Sequence, residues 1–407
     1  MQINRQRLLR DLADLGTIGR TPEGGVSRPS WSEADLEARR WLMARIQAAG
    51  LTGRVDGAGN IFGRWEAGGP VVLVGSHLDT VPNGGTLDGA LGVLAGLECL
   101  RRVKEEGIRL RHPLELVAFT DEEGAFGGFF GSYAFAGKLT HDAIARSRDV
   151  QGRSITEAMG HVGLDSAQAL SDRRDPADIR AYFELHIEQG PILERQRASI
   201  GIVETIVGIQ RFGVTFRGRA DHAGTTPLQD RKDALMGAAE LIRRAHDLIL
   251  TEGTPASRVT VGFMHVKPGV PNIVPAEAYL TLELRDVSSA KLEQLQARSR
   301  DLVHRVATEW GLTSSIETIL DINPVPLSPD LQQAIQSAAD ELGCSIMRLP
   351  AMAGHDAQVV GGVAPAAMIF VPSRDGRSHS PAEFTSEDDI DRGANVLLNA
   401  LLRCSGT

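Results

Sequence analysis

The sequence predicts an α/β protein, with a mixed-sheet domain carrying helices on both faces and an inserted α+β domain. Three observations predict this. Short apolar runs alternate with amphipathic helical stretches between residues 71 and 120, and such runs return after 324. Between 211 and 323 the texture changes to alternating strands separated by long helices. The chain has 407 residues, too many for one ordinary core.

The elements follow in order. Residues 1–7 lead into a charged amphipathic helix and show no signal-peptide core. Residues 71–75 and 114–120 are short runs rich in Val and Leu, as buried parallel strands are. Between them, 89–106 reads as a helix, with Leu91, Leu94, Ala95, Leu97 and Leu100 on one side and Arg101, Lys104 and Glu105 on the other. Ligands of such sheets bind beyond the carboxyl ends of the strands. Residues 138–180 are polar and read as a helical excursion, after which 181–188 resumes a strand.

From Arg211 the pattern is Phe212, Val214 and Phe216 alternating with polar residues, a helix over 227–250, strands at 259–266 and 276–284, and a helix over 288–307. With a closing strand near 313–319 this is the order of a split-βαβ sandwich. The expected domains are therefore 1–210 with 324–407, and an insertion over 211–323. Ser328-Pro329-Asp330 starts a helix that Gly343 stops. Residues 366–371 form another apolar run, and a last helix opens at Ser386 with Ile390, Ala394, Leu397, Leu398 and Leu401 in phase.

Composition excludes several classes. Apolar content of 42% and charged content of 23% are those of a globular protein. A net charge of -9 without any basic block argues against nucleic acid as a partner. The longest apolar runs, 71–74 and 366–371, are far shorter than a membrane span. Cys99, Cys344 and Cys404 are scattered and odd in number, which reads as reduced thiols in a cytoplasmic protein.

The chemistry concentrates in three places. Gly75-Ser76-His77-Leu78-Asp79 is followed by Leu87-Asp88-Gly89 and then by Thr120-Asp121-Glu122-Glu123-Gly124. Imidazole with carboxylates is a ligand set that zinc and its neighbours accept. One carboxylate beyond what a metal needs is free for proton transfer, so the set suggests hydrolysis by a metal-activated water. Asp79 stands where it could accept the other ring N–H of His77. Asp88 precedes an apolar helix, so capping and metal binding are both open to it. His186, in Leu185-His186-Ile187-Glu188-Gln189-Gly190, follows a strand, and His379 lies in Arg377-Ser378-His379-Ser380-Pro381. His112, His141, His161, His246, His265 and His304 have no ligand-like neighbourhood. The glycine-rich 124–131 lacks the spacing of a phosphate loop.

Taken together, the blocks 75–81, 83–92, 121–124, 186–190, 221–227, 354–358 and 378–383 resemble the dinuclear-metal amidohydrolases of the N-carbamoyl-L-amino-acid hydrolase, allantoate amidohydrolase and β-ureidopropionase family. That family lies within the aminoacylase/carboxypeptidase-type metallopeptidase clan. The resemblance implies two divalent ions, zinc or manganese, with cobalt or nickel as further candidates. It implies His77, Asp88 and His186 on one ion, and Asp88, Glu123 and His379 on the other. It makes Glu122 the general base and acid, and His222 the donor to the oxyanion. It assigns Gln189, Asn272, Arg285, Gly354 and His355 to the substrate, with Arg285 as the carboxylate clamp. Tyr279, Thr281, Glu283 and Arg285 share one face of their strand.

The inserted domain is implied to be a ferredoxin-like lid that pairs two subunits into a homodimer. The implied reaction is hydrolysis of an N-carbamoyl-L-amino acid to the amino acid, ammonia and carbon dioxide. Allantoate and N-carbamoyl-β-alanine are alternatives, and an amidase of N-acyl amino acids is a further one. One departure bears on that choice. Residues 125–132, Ala-Phe-Gly-Gly-Phe-Phe-Gly-Ser, form a shorter and more apolar turn than many relatives carry.

Overall fold

The structure is a computed structural model and describes residues 1–65 and 68–406. Contacts divide the chain into two compact units, Met1–Glu204 with Pro326–Thr407, and Thr205–Val325. The strands in chain order are β1 (Thr52–Val55), β2 (Ile61–Trp65), β3 (Val71–His77), β4 (Leu114–Phe119), β5 (Ile179–Ile187), β6 (Ile200–Ile206), β7 (Gly208–Arg217), β8 (Arg258–Lys267), β9 (Glu277–Asp286), β10 (Thr313–Ile322), β11 (Val325–Pro326), β12 (Ile346–Ala351) and β13 (Ala366–Val371).

The large sheet runs β1-β2-β4-β3-β5-β13-β6-β11, with β12 beside β6. Its centre, β4-β3-β5-β13, is parallel, and β2 and β6 join that centre antiparallel. The carboxyl ends of four neighbouring strands therefore open at one edge. Alternation along the strands divides the faces. Val72, Val74, Leu114, Leu116, Ala181, Phe183 and Leu185 face a core built with the helices Ala90–Glu105, Glu387–Ser405, Pro329–Glu341 and Arg5–Leu15. On β5 the intervening residues Tyr182, Glu184 and His186 are also buried.

A separate apolar cluster of this unit accounts for the polar stretch after 138. Its short helices His141–Arg146 and Ile155–His161 bring Ile144, Ile155 and Met159 against Trp31, Phe126 and Phe130. The apolar turn after the glutamate pair is thus the core of this excursion. The Asp121 carboxylate shapes it by accepting the N–H groups of Phe126 at 3.1 Å and Gly128 at 3.3 Å.

The second unit is a four-stranded antiparallel sheet, order β10-β7-β9-β8, with the helices Ala234–Glu252 and Ser289–Glu309. The chain order βαββαβ is the one the sequence predicts. Leu280, Leu282 and Leu284 enter its core with Phe212, Val214 and Phe216. Two elements start three or more residues from expectation. The first strand begins at Gly208 rather than 211, and the helix expected from 227 begins at Ala234. The second shift has a local cause: Asp233 is the N-cap, accepting from Leu235 and Met236, while Leu228–Asp230 form a separate tight turn. No helix among the described residues is long and apolar enough to cross a membrane.

One buried cation ties the N-terminal segment to the end of β3. Arg28 is fully buried. Its Nε donates to the Leu78 carbonyl at 2.8 Å, and its Nη1 to those of Ile18 at 3.0 Å and Leu15 at 3.2 Å. Its backbone pairs with Thr80 in both directions. Arg28→Ala strands three carbonyls, each a loss of about 1–3 kcal/mol. The expected outcome is a destabilisation of about 3 kcal/mol or more, with Arg28→Lys recovering only part because it lacks the planar fork. Urea denaturation followed by tryptophan fluorescence measures it, and an unshifted midpoint in Arg28→Ala would refute it.

Candidate metal centre

His77 is the last residue of β3, and His186 the penultimate residue of β5. Leu73 pairs with Tyr182, and four residues on from each, period two keeps the two histidines on one face. Their ring centroids lie 6.1 Å apart. The Nδ1 of His77 meets the Asp79 carbonyl at 3.0 Å, and the Nδ1 of His186 meets the Ile187 carbonyl at 2.9 Å. A carbonyl only accepts, so each Nδ1 carries a proton and each Nε2 faces the centre. Asp79 thus meets the ring through its main-chain carbonyl and not its carboxylate. One of its oxygens is 3.8 Å from His77 Nδ1. The carboxylate instead accepts the backbone N–H of Glu122 at 3.4 Å and of Glu123 at 3.1 Å, holding the glutamate pair in place.

Asp88 stands at the middle. Its Oδ1 lies 3.2 Å from His186 Nε2 and 3.6 Å from His77 Nε2. Its Oδ2 lies 3.5 Å from His379 Nε2, which in turn is 3.3 Å from Glu123 Oε2. Asp88 is not the helix cap: Gly89 holds that position at φ 64° without a side-chain bond. A Cβ on Gly89 would sit about 2.4 Å from the His77 ring, so only glycine lets the helix Ala90–Glu105 begin here. Among the described residues, His77, Asp88 and His186 bring their ligand atoms within 4.8 Å of one another, and Asp88, Glu123 and His379 do the same. Two donors about 2.1 Å from one ion at tetrahedral angles lie about 3.4 Å apart, close to the 3.2–3.6 Å of the four contacts given above.

The electrostatics fit a divalent cation. Burial disfavours charge on His186, but contact with Asp88 outweighs it and raises its pKa to about 9. Contact with Glu123 raises His379 to about 9 as well. For Asp88 burial acts upward, and His186, His77 and the Ser378 hydroxyl hold it below the usual carboxylate range. Burial, then repulsion from Glu123, Asp356 and Asp79, pushes Glu122 well above its ordinary value. Glu123 Oε1 is buried with no hydrogen-bond partner. The cluster therefore attracts positive charge, and a divalent ion meets that demand without a proton on the rings. Glu122 has one oxygen 3.6 Å from His77 Nε2 and belongs to neither triad, so its carboxylate remains available for proton transfer.

The remaining expected residues fall in several places. Gln189, at φ 58°, donates its amide to Asp88 Oδ2 at 2.8 Å. Glu188 turns away and accepts the N–H groups of Ile192 and Leu193, each at 2.7 Å, to start the next helix. Gly354 lies against the Phe129 ring. His355 is buried, its ring centroid 4.5 Å from that of His186. It packs against His186, and Glu184, His186 and His355 also bring nitrogen or oxygen atoms within 4.8 Å of one another.

His222, Asn272 and Arg285 lie in the second unit. His222 is exposed, and its Nδ1 accepts the N–H groups of Gly224 at 3.0 Å and Thr225 at 3.1 Å. The neutral ring therefore carries its proton on Nε2, as a donor. Its loop is bound to that of Asn272, whose carbonyl accepts from Ala223 at 3.0 Å. Arg285 Nε pairs with Glu283 at 2.8 Å on the half-buried face of β9.

Sequence reasoning missed several buried residues that hold the centre. Glu184 accepts from Ser76 at 2.6 Å, Ala357 at 2.9 Å and Tyr182 at 3.2 Å. Glu383 accepts from Leu87 and Asp88. The only signal for Glu383 was its place in the block 378–383.

A parallel-centred sheet whose strand ends gather imidazoles and carboxylates around a shared aspartate defines a metal-dependent hydrolase. Residues 73–403 match Peptidase family M20/M25/M40, and the chain belongs to that family. It is 40% identical over 405 residues to the N-carbamoyl-L-amino acid amidohydrolase of Geobacillus stearothermophilus, covering 98% of both chains. It is 35% identical to the allantoate amidohydrolase of Bacillus subtilis (strain 168), covering 96% of this chain and 95% of that one. A solved amidase of the hydantoinase/carbamoylase family from Burkholderia multivorans superposes with TM-score 0.89 at 38% identity, covering 99% of this chain and 98% of that chain. The chain is a hydrolase of non-peptide C–N bonds.

Gly89→Ala is expected to displace His77 and reduce retained metal at least about tenfold. Metal content after dialysis checks this, and wild-type content would refute the close-approach argument.

Proposed function

We propose that the protein hydrolyses an N-carbamoyl-L-amino acid to the free amino acid, ammonia and carbon dioxide. The observation that carries this reading is Asp88 shared between two ligand triads, with Glu122 beside them and outside both. His77, Asp88 and His186 would hold one divalent ion, and Asp88, Glu123 and His379 a second. When bound, such ions lower the pKa of coordinated water to about 7 and polarise a carbonyl oxygen. Glu122 takes the proton from the attacking water and returns it to the leaving nitrogen. Burial among other carboxylates suits it to carry that proton between steps.

His222 offers its Nε2–H to the oxyanion in the neighbouring subunit's site, a tautomer fixed in advance by Gly224 and Thr225. Gln189 and Gly354 contact the ureido group, with His355 supporting from behind. Arg285, with Asn272, clamps the substrate carboxylate, exchanging Glu283 for it. The active form is a homodimer through the second unit. Allantoate and N-carbamoyl-β-alanine present the same two groups and follow in order.

A specific observation favours a second reading. A cavity of about 310 Å³ adjoins Glu123, with Val81, Pro82, Ala125, Phe126 and Val150 in its wall. It could take an apolar acyl group, which would make the substrate an N-acyl amino acid. The test is a panel of N-carbamoyl-L-amino acids, N-carbamoyl-β-alanine, allantoate and N-acetyl amino acids, given to metal-stripped and then zinc- or manganese-reconstituted protein. Metal-dependent ammonia from an N-carbamoyl-L-amino acid is expected; amino acid from the N-acetyl substrate without ammonia elsewhere would overturn the first reading.

Glu122→Gln is expected to lower kcat at least about 100-fold with metal content near wild type, because proton transfer alone is lost. Unchanged kcat would remove Glu122 as the base. Arg285→Ala is expected to raise KM for carboxylate substrates with a smaller change in kcat, and an unchanged KM would remove the clamp.

A further inference from the structure

The loop 85–88 closes around a carboxylate that arrives from the far end of the chain. Glu383 Oε1 accepts the backbone N–H of Leu87 at 2.7 Å and that of Asp88 at 3.2 Å. Its Oε2 lies 3.1 Å from the Ser378 hydroxyl, and that hydroxyl lies 2.6 Å from Asp88 Oδ2. Glu383 is buried and touches the loop at both its backbone and, through Ser378, its functional side chain. The fit is close: a Cβ on Gly85 would lie 2.0 Å from the Glu383 carboxyl group.

We propose that Glu383 is the positioning residue for Asp88, fixing the main chain of the loop directly and the carboxylate through Ser378. The argument is one of spare freedom. Asp88 must direct one oxygen toward His77 and His186 and the other toward His379. A free aspartate would rotate about its last torsion, since such torsions are broad. The Ser378 and Gln189 donors, both on Oδ2, remove that rotation. Glu383 anchors Ser378, which sits next to His379 in sequence, so one carboxyl group sets Asp88 and the His379 loop against each other. Because Asp88 serves both triads, the loss of Glu383 should weaken both ions together, whereas loss of Glu123 should weaken one.

This inference rests on the assignment of Asp88 as a ligand to both ions. The experiment is calorimetric titration of metal-free full-length protein with zinc and with manganese, alongside thermal melting of the metal-free form. Glu383→Ala is expected to weaken both binding events about 10- to 100-fold. Glu383→Gln keeps a carbonyl oxygen for the Leu87 and Asp88 N–H groups and should recover most of that loss. Ser378→Ala should weaken binding as well, with an effect that does not add to that of Glu383→Ala.

Wild-type affinity in Glu383→Ala overturns the proposal, as does a uniform loss that Glu383→Gln fails to rescue. Should Glu383→Ala not fold, the Ser378→Ala and Glu383→Gln titrations decide, and additive effects there also overturn it. Asp88→Asn separates the two levels. If it too binds both ions like wild type, the ligand assignment fails; if it loses both while Glu383→Ala does not, only the positioning role fails.

Discussion

Asp88 has to remain a charged carboxylate in a place where burial opposes charge. Three imidazoles surround it, and its second oxygen takes donors from Ser378 and Gln189. An isolated buried carboxylate would take up a proton instead. The requirement reaches outward through the fold. The imidazoles come from three separate segments, two strand ends and one connection. The strands must be parallel neighbours, so that their carboxyl ends open at one edge. β3 and β5 supply His77 and His186 directly, while the connections beyond β4 and β13 supply the Glu122-Glu123 pair and His379.

Functional side chains at strand ends lie on irregular backbone, and three segments here adopt the left-handed region. Asp121 has φ 58°, Gln189 φ 58° and His379 φ 52°. Such conformations cost on the order of 1–3 kcal/mol each and persist only where surrounding bonds determine them. At Asp121 the carboxylate itself supplies those bonds, to Phe126 and Gly128. At Gln189 the backbone N–H is held by Ser373 at 3.1 Å and the side chain by Asp88.

The parts legible in the sequence were those with local pattern. Buried parallel strands read as apolar runs, the alternation on β9 read as a half-buried strand, and Ser328, Ser386 and Ser288 announced helices that they do cap. His77, Glu123 and His186 are legible because each closes or follows an apolar run, whereas Asp88, ahead of an apolar helix, and His379, in a polar loop, take their ligand roles from the family resemblance. What stayed hidden acts across distance. Arg28 reaches a carbonyl 50 residues away, Glu184 a hydroxyl 108 away, and Glu383 an N–H 296 away. A side chain bonded to remote backbone leaves no periodicity, so neither spacing nor propensity shows it. Asp79 meets the His77 ring through its main-chain carbonyl, while its carboxylate serves the next strand's loop, a division of labour that sequence proximity does not show. Pro227 misled for a similar reason, since a proline that can begin a helix can also begin a tight turn.

These hidden residues share one physical device. Loops leaving a sheet carry backbone N–H groups that no strand or helix satisfies, and burying them unpaired is costly. Here buried carboxylates accept closely spaced N–H groups. Asp79 accepts from residues 122 and 123, Glu383 from 87 and 88, Glu188 from 192 and 193, and Asp121 from 126 and 128. Each arrangement fixes the direction of a loop with a single side chain. Burial opposes charge on all four carboxyls, raising Asp121 to about 8 and Glu383 to about 7, so their ionised forms gain from nearby positive charge. Asp79 and Glu383 hold the segments that carry Glu123 and Asp88, so folding of this edge and binding of metal are linked by mass action. A centre built this way is ordered most firmly when loaded, because the ion offsets the repulsion that the loop anchors create.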